Sequence, residues 1–156
     1  MVQAPNIDEQ NVFLARVAEQ AERFDDMVSY LEQVLESKGT TVNPDERNLV
    51  SVAFKNLVSN KRAVIRTINA IEQNPKYAQF ANALQAYKDT IEQQLLEDYE
   101  RIISIIQTKV LENAGEEREA RIFFLKMIAD YYRFISEIVK GDKREQANQQ
   151  AAHFYE

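Results

Sequence analysis

The feature that most constrains this chain is its scarcity of helix breakers. Its 156 residues contain three Gly and three Pro, too few for sheets joined by tight turns. Between the breakers, apolar residues recur at helical spacing, in steps of three to five in the first segment and of three or four from Phe80 to Val110. The breakers are Pro5, Gly39, Pro44, Pro75, Gly115 and Gly141. The sequence therefore predicts an all-α fold, an antiparallel array of long helices.

Start and stop signals divide residues 1–156 into six helices within a single unit. The sharpest start is the segment Asn43–Glu46 (NPDE), which offers a capping side chain, Pro at the first helical position and acids near the helix dipole. The predicted helices cover residues 8–22, 24–38, 44–73, 75–113, 116–140 and 142–156. The fourth would be about 50 to 60 Å long. We therefore expect an open array, or a partner chain that covers the overhang.

Composition excludes several classes of function. The chain has no Cys and one His, so it lacks thiol chemistry and cannot build a multi-histidine metal site. Its net charge of −6 argues against broad attraction to nucleic acid or anionic lipid. No stretch approaches 18 uninterrupted apolar residues, and the first residues do not resemble a signal peptide. We expect a cytoplasmic protein that uses no cofactor or metal and binds neither nucleic acid nor membrane.

Catalytic motifs are also missing from the sequence. It contains no glycine-rich phosphate loop, no HExxH and no G-x-S-x-G. His153 is the lone histidine, and nothing near it in the sequence supplies a nucleophile. Adjacent acids such as Asp25 and Asp26 lie at predicted helix starts, where a negative charge interacts favourably with the helix dipole. We therefore expect that the protein is not an enzyme.

Cationic residues form lines on two of the predicted helices. Lys55 and Arg62 are seven residues apart, so they share one face of the third helix, and Arg66 extends the line by four. Lys126 and Arg133 repeat the spacing of seven on the fifth helix. Two facing lines could direct several donors at one small dianion, since Arg matches phosphate oxygens bidentately. The alternative is that both lines are solvated faces, which are common on helices.

A single acid lies within the second line. Asp130 stands three residues before Arg133, at a spacing that lets its carboxylate orient the guanidinium and partly offset its charge.

Four segments resemble motifs of the 14-3-3 family, in family order and at family spacing. Arg47–Asn56 (RNLVSVAFKN) is very similar to the family signature, and Ala18–Met27 (AEQAERFDDM) resembles the first-helix motif. Phe123–Met127 (FFLKM) and Asp130–Phe134 (DYYRF) resemble the start and core of the fifth helix. The likeness extends over about residues 12 to 155.

The resemblance implies a fold and a function. Members of the family have nine antiparallel helices, dimerise, and bind phosphoserine or phosphothreonine segments of signalling partners in an amphipathic groove. This chain resembles the first five helices and part of the sixth. The phosphate pocket of the family corresponds to Lys55, Arg62 and Arg133, and the groove-lining positions correspond to Lys126, Arg66 and Phe134. The resemblance therefore predicts an adaptor for phosphorylated segments.

One departure affects the phosphate pocket. Phe134 stands where the family has a tyrosine, so a hydroxyl donor to the phosphate is missing. Binding should be weaker by ~0.5–1.5 kcal/mol if nothing replaces that donor.

The family dimer packs the first helix on the third and fourth helices of its partner. The corresponding apolar positions are Val17, Ala21, Val64, Ile68 and Tyr87, and this set is intact. Arg23 and Asp26 are present as interface charges, but the positions opposite them are Gln94 and Thr90. Because exposed ion pairs contribute little, we still predict a dimer with itself or a related family member.

Helices seven to nine of the family, which supply the apolar wall of the groove, have no counterpart here. The last predicted helix also carries an apolar patch with nothing after it to cover it, formed by Ala151, Ala152, Phe154 and Tyr155. We therefore favour an N-terminal fragment of a longer protein over an unusual chain that covers its exposed face by association. The alternative to a phosphopeptide adaptor is a helical dimerisation or assembly module that has no phosphopeptide recognition of its own.

Overall fold

The computed structural model describes residues 6–112, 117–139 and 141–155, which form six α-helices. The helices are α1 (Ile7–Gln20), α2 (Phe24–Lys38), α3 (Pro44–Glu72), α4 (Ala81–Ile105), α5 (Arg118–Ile138) and α6 (Asp142–Tyr155). Short 3-10 segments cover Gly39–Thr41 and Pro75–Phe80, and a π-helical segment covers Ile106–Leu111. The described residues include no strand. The prediction of an all-α fold is confirmed.

The start of α3 has the capping chemistry that its sequence predicts. The Asn43 side chain accepts a hydrogen bond from the Glu46 amide at 2.8 Å, and the Glu46 carboxylate accepts one from the Asn43 amide at 2.9 Å. Lys38 at the end of α2 also donates to Glu46, at 2.9 Å. The reciprocal capping fixes where α3 begins, and the Lys38–Glu46 pair ties that start to the end of α2.

The first predicted helix, 8–22, runs past the observed end of α1 at Gln20. Glu22 adopts a φ of +56°, a left-handed conformation that usually favours glycine. The Arg23 amide then donates to the Ala18 carbonyl at 2.8 Å, and the Glu22 amide donates to the Glu19 carbonyl at 3.1 Å. These two bonds close the helix without the Gly that would have marked its end in the sequence.

The single helix predicted over 75–113 is wrong as one regular element. Its first turns form the 3-10 segment Pro75–Phe80, and its last described turns are π-helical from Ile106 to Leu111. The apolar steps of three and four are compatible with all three helix types, so they did not reveal these changes. Residues 113–116, which include the predicted stop at Gly115, lie outside the described residues.

The last two helices agree more closely with their predicted bounds. α5 covers Arg118–Ile138 against the predicted 116–140, and α6 covers Asp142–Tyr155 against 142–156. Residues 116, 140 and 156 are outside the described part of the chain.

The core joins α2, α3, α4 and α5, and an aromatic group at its centre sets the spacing of α3 and α5. Phe54 contacts Tyr131 edge to face at 6.5 Å between ring centroids, and Tyr99 of α4 lies 5.8 Å from Tyr131. Arg47 lies beside Phe123 near the start of both helices, whereas Phe134 lies beside Arg62 further along each. Positions therefore advance together along α3 and α5, so these two helices run parallel.

The 3-10 segment Pro75–Phe80 and the first half of α4 are less buried than the second half of α4. Phe80 and Tyr87 expose 52% and 56% of their surface, whereas Leu95 and Tyr99 are almost fully buried. Lys88 pairs with Glu72 at 3.6 Å, which ties this half to the end of α3. Among the described residues, apolar side chains are therefore exposed along this stretch. The length of the predicted fourth helix had indicated such an overhang.

The apolar patch expected on α6 is partly covered, which corrects the sequence-based expectation. Ala151 is buried, and Phe154 is half-buried with its ring stacked on Tyr132 at 5.9 Å. Only Ala152 and Tyr155 of that patch are exposed. The apolar pattern of α6 alone did not show that α5 covers part of this patch, as Tyr132 covers Phe154.

Candidate functional site

A cavity of about 580 Å³ lies between the parallel helices α3 and α5. Helix α3 contributes Ser51, Lys55, Val58, Ser59, Arg62 and Arg66, and helix α5 contributes Phe123, Lys126, Met127, Asp130, Tyr131 and Phe134. One wall is thus polar and cationic, and the other combines aromatic and apolar side chains with one lysine and one acid. The first predicted cationic line, Lys55, Arg62 and Arg66, faces Lys126 of the second line across this space.

Four of the six predicted groove residues bring positive charge to the cavity: Lys55, Arg62, Arg66 and Lys126. Within the described ranges, no carboxylate lies within 4.0 Å of any of their cationic nitrogens. Other cations of the chain do have such partners, such as Lys61, whose ammonium lies 2.5 Å from Asp98. Four cations therefore line the cavity with none of them paired to a described carboxylate, and Asp130 is the one acid in the same lining.

Arg133, the third predicted phosphate ligand, is not part of the cavity wall. Its Nη2 lies 4.0 Å from the Asp130 carboxylate, and its side chain is 56% exposed. Its Cζ lies 5.4 Å from the centre of the Phe134 ring. Arg133 therefore adjoins the cavity at Asp130 and Phe134 but directs its charge toward the acid, as the three-residue spacing allows.

The Phe134 ring contacts two arginines, Arg62 and Arg133. The Arg62 Cζ lies 4.5 Å from the centre of its ring, closer than that of Arg133. The same ring packs at 5.7 Å from Tyr131 and 5.9 Å from Tyr99. Arginine over an aromatic face is attracted by the ring quadrupole. The ring thus positions two guanidinium groups, although it lacks the hydroxyl of the family tyrosine.

Two buried tyrosines lie beneath this site, and the sequence analysis did not single them out. Burial raises the pKa of Tyr99 to about 12, with the positive charge of Arg62 opposing the shift. Burial likewise raises the pKa of Tyr131, again against the effect of Arg62. Both phenols stay neutral near pH 7, so neither adds a negative charge beneath the cations.

Tyr155 is a further contact that the sequence did not reveal. Its hydroxyl donates a hydrogen bond to the Asp130 carboxylate, the same group that pairs with Arg133. The sequence showed Tyr155 only as part of an apolar patch, because a partner 25 residues away is visible only in the fold.

The predicted dimer residues have unequal exposure. Val17 and Tyr87 expose 47% and 56% of their surface, and Ala21 is exposed, whereas Val64 is only partly exposed. Ile68 exposes 5%, so it has little surface left for a partner. The sequence places Ile68 on the apolar stripe of α3. That position does not show whether Ile68 is covered by its own chain or by a partner chain.

The two charged residues predicted for the dimer interface pair with each other in this chain. Arg23 Nε donates to Asp26 at 2.8 Å, between two well-exposed side chains. Helix α1 turns Ala15 and Ala18 inward, while the larger Phe13 and Leu14 face out. Small inward residues let α1 pack closely on α2 and leave its bulky apolar side chains at the surface.

Other kinds of site are not found in the part of the chain that the structure describes. There, no group of three or more His, Asp or Glu side chains is placed to hold a metal ion. None of the described helices combines the length and apolarity that a membrane span requires. His153 is exposed, and its ring lies 5.1 Å from that of Phe154.

Fold and site together define an all-helical protein with a cationic groove between two parallel helices. The family model described as "14-3-3 protein" matches residues 14–156. The chain is also 36% identical over 151 residues to "14-3-3-like protein C" of Nicotiana tabacum, covering 94% of this chain and 58% of the relative. This chain therefore belongs to the 14-3-3 family.

Further relatives agree with this assignment. "14-3-3 protein 2" of Entamoeba histolytica is 36% identical over 148 residues, covering 93% of this chain and 61% of the relative. "14-3-3-like protein" of Helianthus annuus is 34% identical over 160 residues, covering 99% and 61%. The chain thus spans about three fifths of the length of these curated relatives.

Proposed function

We propose that this chain is the cationic half of a cytoplasmic phosphoserine- and phosphothreonine-binding adaptor, which acts on signalling partners by binding rather than by catalysis. The observation that carries the proposal is the cavity between α3 and α5, where Lys55, Arg62, Arg66 and Lys126 meet without a carboxylate partner among the described residues. A phosphate dianion supplies the compensating charge and three strong acceptor oxygens.

Each cation has a distinct role in this proposal. Arg62 presents a planar fork that matches two phosphate oxygens, and its contact with Phe134 limits its freedom before binding. Lys55, which precedes Arg62 by seven residues on α3, contributes a point charge. Arg133 must turn from Asp130 toward the ligand, and a dianion attracts it more strongly than the single carboxylate does. Binding therefore completes a three-cation pocket of Lys55, Arg62 and Arg133.

The test is a fluorescence anisotropy titration of a labelled phosphoserine peptide and its unphosphorylated twin with the 156-residue chain at moderate salt. We expect tighter binding of the phosphorylated peptide, weakening as salt is raised because the contact is ionic. Equal binding of the two peptides would rule out phosphate recognition by this chain.

Phe134→Tyr should strengthen phosphopeptide binding. The added hydroxyl can donate to the phosphate, so we expect about a two- to twelve-fold gain in affinity, the equivalent of ~0.5–1.5 kcal/mol. The same titration measures it, with Phe134→Leu as a control that removes the aromatic ring and should weaken binding. No gain in the Tyr variant would show that the hydroxyl does not reach the phosphate.

A second candidate function is an assembly module, favoured by the exposed apolar side chains Phe13, Leu14 and Val17 on α1. Such side chains on a helix surface suit a partner helix. In this case the chain dimerises, but its cationic cavity recognises no peptide. The two functions differ in whether charge changes at Arg62 alter binding.

Dimerisation has its own prediction. Ala21→Glu should convert the dimer to monomer, because it places a charge on an exposed small residue beside the apolar surface of Val17. Sedimentation velocity measures the oligomeric state across a concentration series. Ala21→Ser, which keeps a small side chain, should remain dimeric. A dimer that survives Ala21→Glu would place the interface elsewhere.

A further inference from the structure

We propose that the groove has a second anion subsite at Arg47, and that its preferred ligands carry an acidic residue about five positions from the phosphorylated one. The proposal rests on the phosphopeptide function proposed above and specifies which phosphopeptides bind best. It concerns a residue outside the cavity wall, at the start of α3.

Arg47 has donor capacity that the chain does not use. Its Nε is buried and has no hydrogen-bond acceptor among the described residues. Its Cζ lies 5.7 Å from the centre of the Phe123 ring, and Phe123 lines the cavity. Within the same described ranges, no carboxylate lies within 4.0 Å of the guanidinium. Arg47 is thus an uncompensated cation at one end of the groove.

Arg47 differs in this respect from the cations that pair with carboxylates of neighbouring helices. Lys38 pairs with Glu46, only one residue before Arg47, and Arg101 of α4 pairs with Asp25 of α2. The Arg47 Nε is shielded by the chain itself, so a ligand carboxylate would meet the terminal nitrogens of the guanidinium. The contact with Phe123 holds the guanidinium at the groove end, where its terminal nitrogens suit a carboxylate.

Helix geometry sets the spacing of the two subsites. Arg47 precedes Lys55 by eight residues and Arg62 by 15, or about 12 and 22 Å along α3 at 1.5 Å per residue. A phosphate held between Lys55 and Arg62 then lies about 17 Å from Arg47. An extended peptide advances about 3.3 Å per residue, so this distance corresponds to about five residues. Since α5 runs parallel to α3, an extended ligand can follow the groove between them.

The overall charge of the chain would not favour an acidic peptide, because a net charge of −6 repels such a peptide at long range. Tighter binding of such a peptide therefore requires a local cation. Arg47 is the cation about 17 Å along α3 from the phosphate position, beside Phe123.

The experiment compares three labelled phosphoserine peptides that share one neutral background. One has Glu five residues before the phosphoserine, one has Glu five residues after it, and one has Gln at both places. We expect one Glu peptide to bind the unmodified chain about two- to five-fold tighter than the Gln peptide, as for a partly exposed ion pair. Arg47→Gln should remove that difference, and Arg47→Lys should keep part of it.

Arg144→Gln is the matched control, because it removes the same charge from an exposed position on α6 and should leave the preference intact. Equal affinity for all three phosphopeptides, or a Glu preference that survives Arg47→Gln, would overturn the second subsite while leaving phosphate recognition in place. An unphosphorylated Glu peptide that binds as well as its phosphorylated twin would instead overturn the proposed function.

Discussion

Arg62→Glu is expected to abolish phosphate-dependent peptide binding with little change in helix content. The substitution removes the guanidinium nearest to Phe134 and places a carboxylate among the remaining cations, where it neutralises Lys55 and repels the phosphate. Losing one side of a close charge pair costs about 2–5 kcal/mol, or at least about a 30-fold loss of affinity. Anisotropy measures the affinity and circular dichroism the helix content.

Arg144→Glu provides the matched control for this prediction, since it makes the same change of charge at an exposed position on α6. Its phosphopeptide affinity should fall only slightly, through the overall charge of the chain. Arg62→Gln should give an intermediate loss, because it removes the fork without adding repulsion. If Arg62→Glu retained its preference for the phosphorylated peptide, the cavity between α3 and α5 would not be the phosphate site.

Phe54→Ala is expected to lower the free energy of unfolding by about 3–5 kcal/mol. Phe54 is only 1% exposed and contacts Tyr131 edge to face at 6.5 Å between ring centroids. Its removal leaves a cavity between α3 and α5, and Tyr131 in turn supports the Phe134 ring. Urea unfolding followed by circular dichroism measures the loss.

The control for this change is Ile122→Ala on α5, whose side chain is 55% exposed. Its free energy of unfolding should stay within about 0.5 kcal/mol of the original value. Phosphopeptide affinity should also fall in the Phe54 variant, because the spacing of the two cationic lines depends on this packing. A loss below about 1 kcal/mol for Phe54→Ala would contradict the described contact between α3 and α5.

Several parts of the fold could be predicted because their signals are local in the sequence. The spacing of apolar residues identifies the helices, and the segment Asn43–Glu46 contains both partners of the reciprocal cap. The spacing of seven places Lys55 and Arg62 on one helix face, and the structure puts both on the cavity wall. Each of these features depends on residues within two turns of one another.

Other parts could not be predicted, because they depend on contacts between distant elements. Nothing in the periodicity shows that Ile68 is covered by its own chain or that Glu22 ends a helix in a left-handed conformation. The orientation of Arg133 toward Asp130 could be anticipated, but the hydrogen bond from Tyr155 to the same acid could not. The missing acceptor of Arg47 is likewise visible only once its neighbours are placed.

The most direct test of the central claim is a crystal structure of the chain bound to a phosphoserine peptide. We expect the phosphate between α3 and α5, with its oxygens about 2.7–2.9 Å from the guanidinium of Arg62 and the ammonium of Lys55. Arg133 should have turned from Asp130 to the phosphate. A peptide bound elsewhere, such as along the apolar surface of α1, or a phosphate that contacts neither Arg62 nor Lys55, would contradict the proposed site.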